Sequence, residues 1–285
     1  MIRKAQPGEE AAIEAFLAQH ADSSMFLRSN LAAYGLAELQ HPHGTTYCLY
    51  PEIGAIRGVF GRSNSGFLMC QAPDAAPEVW RGFADALEGQ EIKGMTGDDE
   101  QVTAALAAIG LPGDGFVMNH AEPLYRLDLA RLKAPAATLR VPVSEDAELL
   151  SLWSAQYMID TGEAGAKGPE PRIAIARAVE AITGGKTRLL IEDGQPVAMT
   201  GFNAQLDDMV QVGGVFTPPD RRGNGNARRA VAAHLAEARA QGAKTAILFA
   251  NNAAAARAYE AIGFERIGAY RVAILKTPQV IGGAA

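Results

Sequence analysis

The chain has 285 residues, 48% hydrophobic and 20% charged, which is globular composition and length enough for two domains with cores of their own. Its net charge of −6 lies in the first half: residues 1–135 carry 10 Lys or Arg against 17 Asp or Glu, and residues 136–285 carry 16 against 15. Disorder and coiled coil are excluded by composition, and nucleic acid and anionic membrane are disfavoured as partners by charge; no apolar run reaches the ~20 residues of a membrane span.

Helical spacing of Ile13, Phe16 and Leu17 predicts a helix within Pro7–His20, and a second is expected over Ser29–Leu39. Thr45–Tyr50, Ala55–Phe60 and Phe67–Gln71 are expected as short strands, the last two joined by the turn Gly61–Gly66. Helices follow at Pro77–Leu87 and Asp98–Ile109, then a strand at Leu124–Leu129. Ala130–Ala137 has the composition of a linker. Beyond it the order repeats. Ser144 is placed to cap a helix whose first turn holds Glu145, Asp146 and Glu148, and Arg172–Ile182 gives a second helix. Arg188–Glu192 and Pro196–Asn203 form a hairpin about Asp193-Gly194, followed by a strand at Met209–Thr217. Then come a helix at Gly225–Gln241, a strand at Thr245–Ala250, a helix at Asn252–Ile262 and a last strand at Tyr270–Leu275. Ala108–Leu111 and Ala261–Phe264 share Ala-Ile-Gly at an offset of 153, and with the repeated order they point to tandem duplication. The expected domains are 1–130 and 136–285.

The stretch after the strand Met209–Thr217 is the most informative. Pro218 and Pro219 end the strand, having no N–H for a ladder. Gly223 and Gly225 then allow positive φ and close approach to the backbone, and a helix starts. Its free N–H groups and dipole favour an anion, and Arg221, Arg222, Arg228 and Arg229 add charge with no acid after Asp220. A pyrophosphate suits such a loop; so does a plain glycine-rich turn leading into a solvated basic helix. The spacing is neither the dinucleotide Gly-x-Gly-x-x-Gly nor a P-loop ending in Gly-Lys-Ser/Thr, which makes NAD and ATP weaker ligands than another phosphate carrier.

Downstream, Asn251 or Asn252 caps the next helix, and Asn252 and Tyr259 are two turns apart across a thin alanine face. A phenol, protonated at neutral pH, can donate to a departing thiolate. A half-buried Tyr that only packs fits the same sequence.

These residues resemble the GNAT superfamily of N-acetyltransferases. Arg222-Gly223-Asn224-Gly225-Asn226-Ala227 fits the family's Arg/Gln-x-x-Gly-x-Gly/Ala loop, and Asn251–Phe264 looks like its later helix. The resemblance is strong over about 188–275. It implies an α/β (α+β) fold of two tandem GNAT-like domains, each a mixed, mostly antiparallel central sheet flanked by helices. It implies acetyl-CoA as cosubstrate and an amine acceptor attacking directly. Val215, Phe216 and Thr217 would pair with the pantetheine arm, Arg222, Gly223, Asn224, Gly225, Asn226 and Ala227 would hold the pyrophosphate, Asn252 would touch the CoA arm, and Tyr259 would be the general acid. The first half departs from the pattern: Ala72–Glu78 has acids in place of glycines and arginines, and Leu106 stands where Tyr259 does. That half is expected to be degenerate, as in mycothiol synthase-like enzymes. A non-catalytic acyl-CoA-binding or regulatory protein is the rival reading, and an aminoacyl-tRNA-dependent transferase is opposed by the charge.

The remaining signals are weaker. Glu163 is a candidate acceptor-cleft acid or a solvated loop residue. His41 and His43 lack a third ligand at a recognised spacing, so no metal is expected. His234 and the pair Trp153 and Tyr157 are expected to be structural. Cys48 and Cys70 are read as ordinary buried thiols rather than a disulfide, which with the polar N-terminus indicates a cytoplasmic protein.

Overall fold

Period-two burial along Thr45–Tyr50 and 3.6-period burial of Val79, Trp80 and Phe83 set the pattern for the first of two units. The computed structural model describes residues 1–111 and 113–282. The first unit is Met1–Glu122 together with the C-terminal segment from Ala269; the second is Pro123–Gly268.

In the first unit the chain runs β1 (Arg3–Lys4), α1 (Glu10–Leu17), α2 (Ala21–Tyr34), β2 (Thr45–Tyr50), β3 (Gly58–Ser63), β4 (Phe67–Gln71), α3 (Pro77–Ala86), β5 (Glu91–Asp98) and α4 (Asp99–Ile109). The strands pair in sequence order, antiparallel except for the parallel pair β4 and β5. Phe60 stacks on Phe83 with centroids 4.6 Å apart and meets Trp80 edge-on, joining sheet to α3. Helix α2 starts eight residues earlier than the expected Ser29. Ser23 and Ser24 face inward there and donate to the buried Gln71 Oε1 at 2.7 and 3.1 Å, so polar residues serve the helix's buried side.

The second unit begins within β6 (Phe116–Asp128) and continues through β7 (Thr138–Arg140), α5 (Ala147–Asp160), α6 (Pro171–Thr183), β8 (Thr187–Glu192), β9 (Gln195–Gln205), β10 (Met209–Phe216), α7 (Asn226–Ala240), β11 (Thr245–Phe249) and α8 (Ala253–Glu260), ending in β12 (Glu265–Val280). Its sheet order is β7-β8-β9-β10-β11-β6, again antiparallel except for one pair, β10 with β11. Asp193 and Gly194 turn the β8–β9 hairpin with φ of +48° and +75°, the primed geometry that matches strand twist. Val231 and Leu235 of α7 and Ile262 and Phe264 after α8 pack one face of this sheet. Leu150 and Trp153 of α5 pack the other, against Leu189, Met199 and Phe216. Ser144 does not cap α5; the Asp146 carboxylate accepts from the Val143 N–H at 2.8 Å while paired with Arg140.

The boundaries 1–130 and 136–285 need correction. The strand that closes the first unit, antiparallel on β5 with Tyr270 opposite Asp98, comes from the end of the chain. The strand that closes the second, with Leu124 opposite Phe249, precedes the expected linker. The linker is itself anchored: its Leu132 is buried in the second unit's core, directly after a 3-10 turn that opens on the buried Leu129. The duplication is visible in the paired topologies, and Gly110 and Gly263 of the shared tripeptide both adopt positive φ after their helices.

His234 lies in α7 with 2% exposure, its ring stacked 3.8 Å from Phe202. Burial, with the Arg188 cation nearby, pushes its imidazole down to about 3 from 6.5. The unfolded chain therefore takes up a proton first as pH falls. The stability held above pH 6.5 is lost progressively down to the folded value, at up to about 1.4 kcal/mol per pH unit. His234→Phe keeps a ring on Phe202 and removes the titration, so its melting temperature falls less between about pH 7 and pH 5 than that of the parent. Equal slopes in the two melts would show that His234 carries none of the acid sensitivity.

Candidate functional site

Strand β10 is paired with β11 only from Met209 to Gln211; beyond that it runs beside β9 alone. A bulge with Gly214 at φ +59° separates the pairs Gly213–Gly201 and Phe216–Met199. The β11 side of Val212–Phe216 is thus left without a strand partner, which is where an extended ligand can hydrogen-bond to Val215 and Phe216. The Thr217 carbonyl accepts from Arg222 Nε at 2.9 Å.

Pro218 turns the chain into a 3-10 turn at Pro219–Arg221. Gly223 and Gly225 follow at φ +82° and +74°, and Gly225 caps α7. The first helical hydrogen bond runs from Arg229 N–H to Gly225 C=O. The N–H groups of Gly223, Asn224, Gly225, Asn226, Ala227 and Arg228 have no acceptor among the described residues. Asn226 is 2% exposed, and its Nδ2 braces the loop by donating to Arg221 C=O at 3.2 Å. The expected surplus of four arginines is smaller in the fold. Arg221 is 3.5 Å from Asp220, Arg222 pairs with Asp160 at 2.5 Å, and Arg229 pairs with Glu192. Only Arg228 has no carboxylate partner among the described residues, and its guanidinium lies over Gly225. The anion preference therefore rests on main-chain amides and one cation.

Asn252 caps α8: its Oδ1 accepts from Ala255 N–H at 2.9 Å and its amide donates to Asn251. Its side chain thus braces the helix start while remaining exposed. Tyr259 follows two turns later with 8% exposure, its ring edge-on to Phe264 at 6.0 Å in the unit's main core. Its hydroxyl has no hydrogen-bond partner among the described residues. Burial pushes the phenol above its ordinary value, so it stays protonated through neutral pH.

The other candidates are engaged in contacts of their own. Glu163 is paired with Arg177 at 2.6 Å and accepts from Thr161. His41 stacks on Tyr34 at 4.1 Å, and no group of three metal-ligating side chains occurs among the described residues. Trp153 packs against Phe216. Cys70 is buried, Cys48 half-buried. In the first unit the loop after β4 has no comparable row of free amides. Ala72 N–H donates to Gln101, Ala75 N–H to Ala72, and Pro73 and Pro77 have none to offer. Leu106 is buried and apolar. The sequence reasoning missed Asp160; its only local signal is an acid at a helix C-terminus, against the dipole.

A mixed sheet split after its fourth strand, with a glycine-turned helix start in the split, defines an acetyltransferase type of fold. Residues 151–264 match the Acetyltransferase (GNAT) family model. That family transfers acyl groups from acetyl-CoA. Over the whole length the chain has the tandem GNAT-like fold. A tandem GNAT protein from the clavulanic acid biosynthesis pathway superposes with a TM-score of 0.57 at 13% identity, covering 100% of this chain and 99% of that one. A Drosophila protein gives 0.63 at 12%, covering 96% and 98%. A GNAT-family acetyltransferase from Colwellia psychrerythraea gives 0.54 at 15%, covering 97% and 100%. No curated protein matches the chain in sequence. Among the described residues, no helix is long and apolar enough to cross a membrane.

Proposed function

We propose that the second unit is an acetyl-CoA-dependent N-acetyltransferase acting on a primary amine. The observation that carries this reading is the row of six unpartnered amides, Gly223–Arg228, at the open end of the β10–β11 split. A diphosphate there gains charge-assisted hydrogen bonds from groups that pay no reorganisation. The pantetheine arm follows the unpaired edge of Val215–Thr217, with Asn252 marking the far wall through its cap. The neutral amine attacks the thioester carbonyl carbon, the tetrahedral intermediate expels sulfur, and the C–S bond breaks as the C–N bond is kept. Tyr259 gives its proton to the departing thiolate, and the amine's extra proton leaves to solvent. The first unit, without a comparable row of free amides or a phenol at the matching positions, serves as a structural or substrate-shaping partner.

Isothermal calorimetry with CoA and acetyl-CoA, followed by thiol release across an amine panel, tests the reading. Binding with thiol release is the expected result. The packing of Tyr259 against Phe264 favours one rival, a non-catalytic acyl-CoA-binding protein; binding without thiol release from any amine would support that rival.

A further inference from the structure

Helix α5 ends on Asp160, where a negative side chain opposes the helix dipole. Its carboxylate is used on both sides: Oδ1 accepts from Gln156 at 2.8 Å and Oδ2 from Arg222 Nη2 at 2.5 Å. Arg222 is the first residue of the diphosphate loop, 62 positions away. Its Nε is held by the Thr217 carbonyl, and its guanidinium carbon lies 5.8 Å from the Phe216 ring centroid. The one loop arginine that the family's pattern places at the loop's entry is thus neutralised by the α5 carboxylate. The pair is partly open to solvent, with side chains 48% and 30% exposed, and such pairs hold by about 0–1 kcal/mol. A diphosphate brings more negative charge than one carboxylate and reaches the same guanidinium.

Resting on the acetyl-CoA reading above, we propose that Asp160 is a positioning residue that competes with the diphosphate for Arg222. Donor binding then frees the end of α5, and with it the connection to α6 that begins at Thr161. That connection is tied to α5 by backbone bonds from Thr161 N–H to Tyr157, Gly162 N–H to Ile159 and Ala164 N–H to Met158. Arg222 thus links the filling of the diphosphate loop to the segment that carries Glu163.

Calorimetry of CoA binding reads the competition directly. Asp160→Asn removes the competitor, and CoA binds tighter by up to about fivefold, the worth of an exposed pair. Asp160→Glu restores the parent affinity, and in an Arg222→Gln background Asp160→Asn has no effect. A purely structural role gives weaker binding in Asp160→Asn, and that result, or unchanged affinity, overturns the proposal. Hydrogen exchange gives the second readout. CoA accelerates exchange at Thr161, Gly162 and Ala164 in the parent chain, whereas Asp160→Asn exchanges fast at these amides before CoA is added; continued protection in the CoA complex overturns the coupling. Failure of the parent chain to bind CoA at all sinks the acetyl-CoA reading as well, whereas binding that ignores Asp160 sinks this inference alone.

Discussion

Tyr259→Phe lowers kcat by about 10²–10⁴-fold, the usual worth of a positioned general acid, and leaves the CoA dissociation constant unchanged. The split between the two constants follows from the geometry. The ring supplies the packing, against Phe264 and the rest of the unit's core, and phenylalanine keeps it. The hydroxyl donates to no described residue, so its removal breaks no structural hydrogen bond, and the melting temperature stays where it was. The pH profile carries a second signature. Burial pushes the phenol above 10, and the protonated form is the active one. Activity therefore persists as pH rises through the ordinary phenol range, and the acid is lost only above it. An alkaline limb below pH 9, removed by Tyr259→Phe, would contradict the buried-phenol account. Unchanged kcat in Tyr259→Phe would leave Tyr259 a packing residue and move the chemistry elsewhere.

The elements around this site were legible because local chemistry decides them. Pro218-Pro219 cannot extend a ladder, glycines at 223 and 225 take positive φ, and Asn252 is an N-cap by residue type; each appears in the structure in that role. Strands with charged edges were not legible. Glu91–Asp98 has three charged residues in eight and is a strand because Ile92, Gly94 and Met95 are buried against neighbours distant in sequence. Thr138–Arg140 is too short to show a period and follows directly on a stretch whose composition suggested a linker. The exchange of closing strands was hidden for a topological reason: β6 and β12 each look like the end of their own half, and only pairing partners reveal otherwise. The loop arginines illustrate the same limit at the site. Residue types indicated four cations, but Asp160 and Glu192, remote in sequence, take up two of them. The amides that remain are a property of backbone conformation, and their freedom from acceptors is a fact of three dimensions.

Gly225→Val lowers CoA affinity by at least about 100-fold, because it acts on those amides directly. Gly225 sits at φ +74°, where a β-branched residue is strained by roughly 1–3 kcal/mol. A Cβ at this position would also stand 3.2 Å from Arg228 Nη2, closer than the guanidinium over the helix start comfortably allows. The Arg228 side chain swings aside to relieve the contact, and relief of the φ strain turns the loop toward negative φ, which rotates the peptide units flanking residue 225. Each charge-assisted hydrogen bond so lost is worth about 1.5–3 kcal/mol, and two of them exceed a hundredfold in affinity. The helix body does not depend on the loop, since Val231 and Leu235 hold α7 to the sheet from beyond its first turn. The variant therefore folds, retains its far-ultraviolet circular dichroism, and fails in calorimetry with CoA. Gly223→Ala is the graded companion: φ of +82° strains alanine less than valine, no atom lies within 4 Å of the added carbon, and affinity falls by a smaller factor. If Gly225→Val binds CoA as the parent does, the amides of this loop are not what holds the diphosphate, and the acyl donor must enter the second unit by another route.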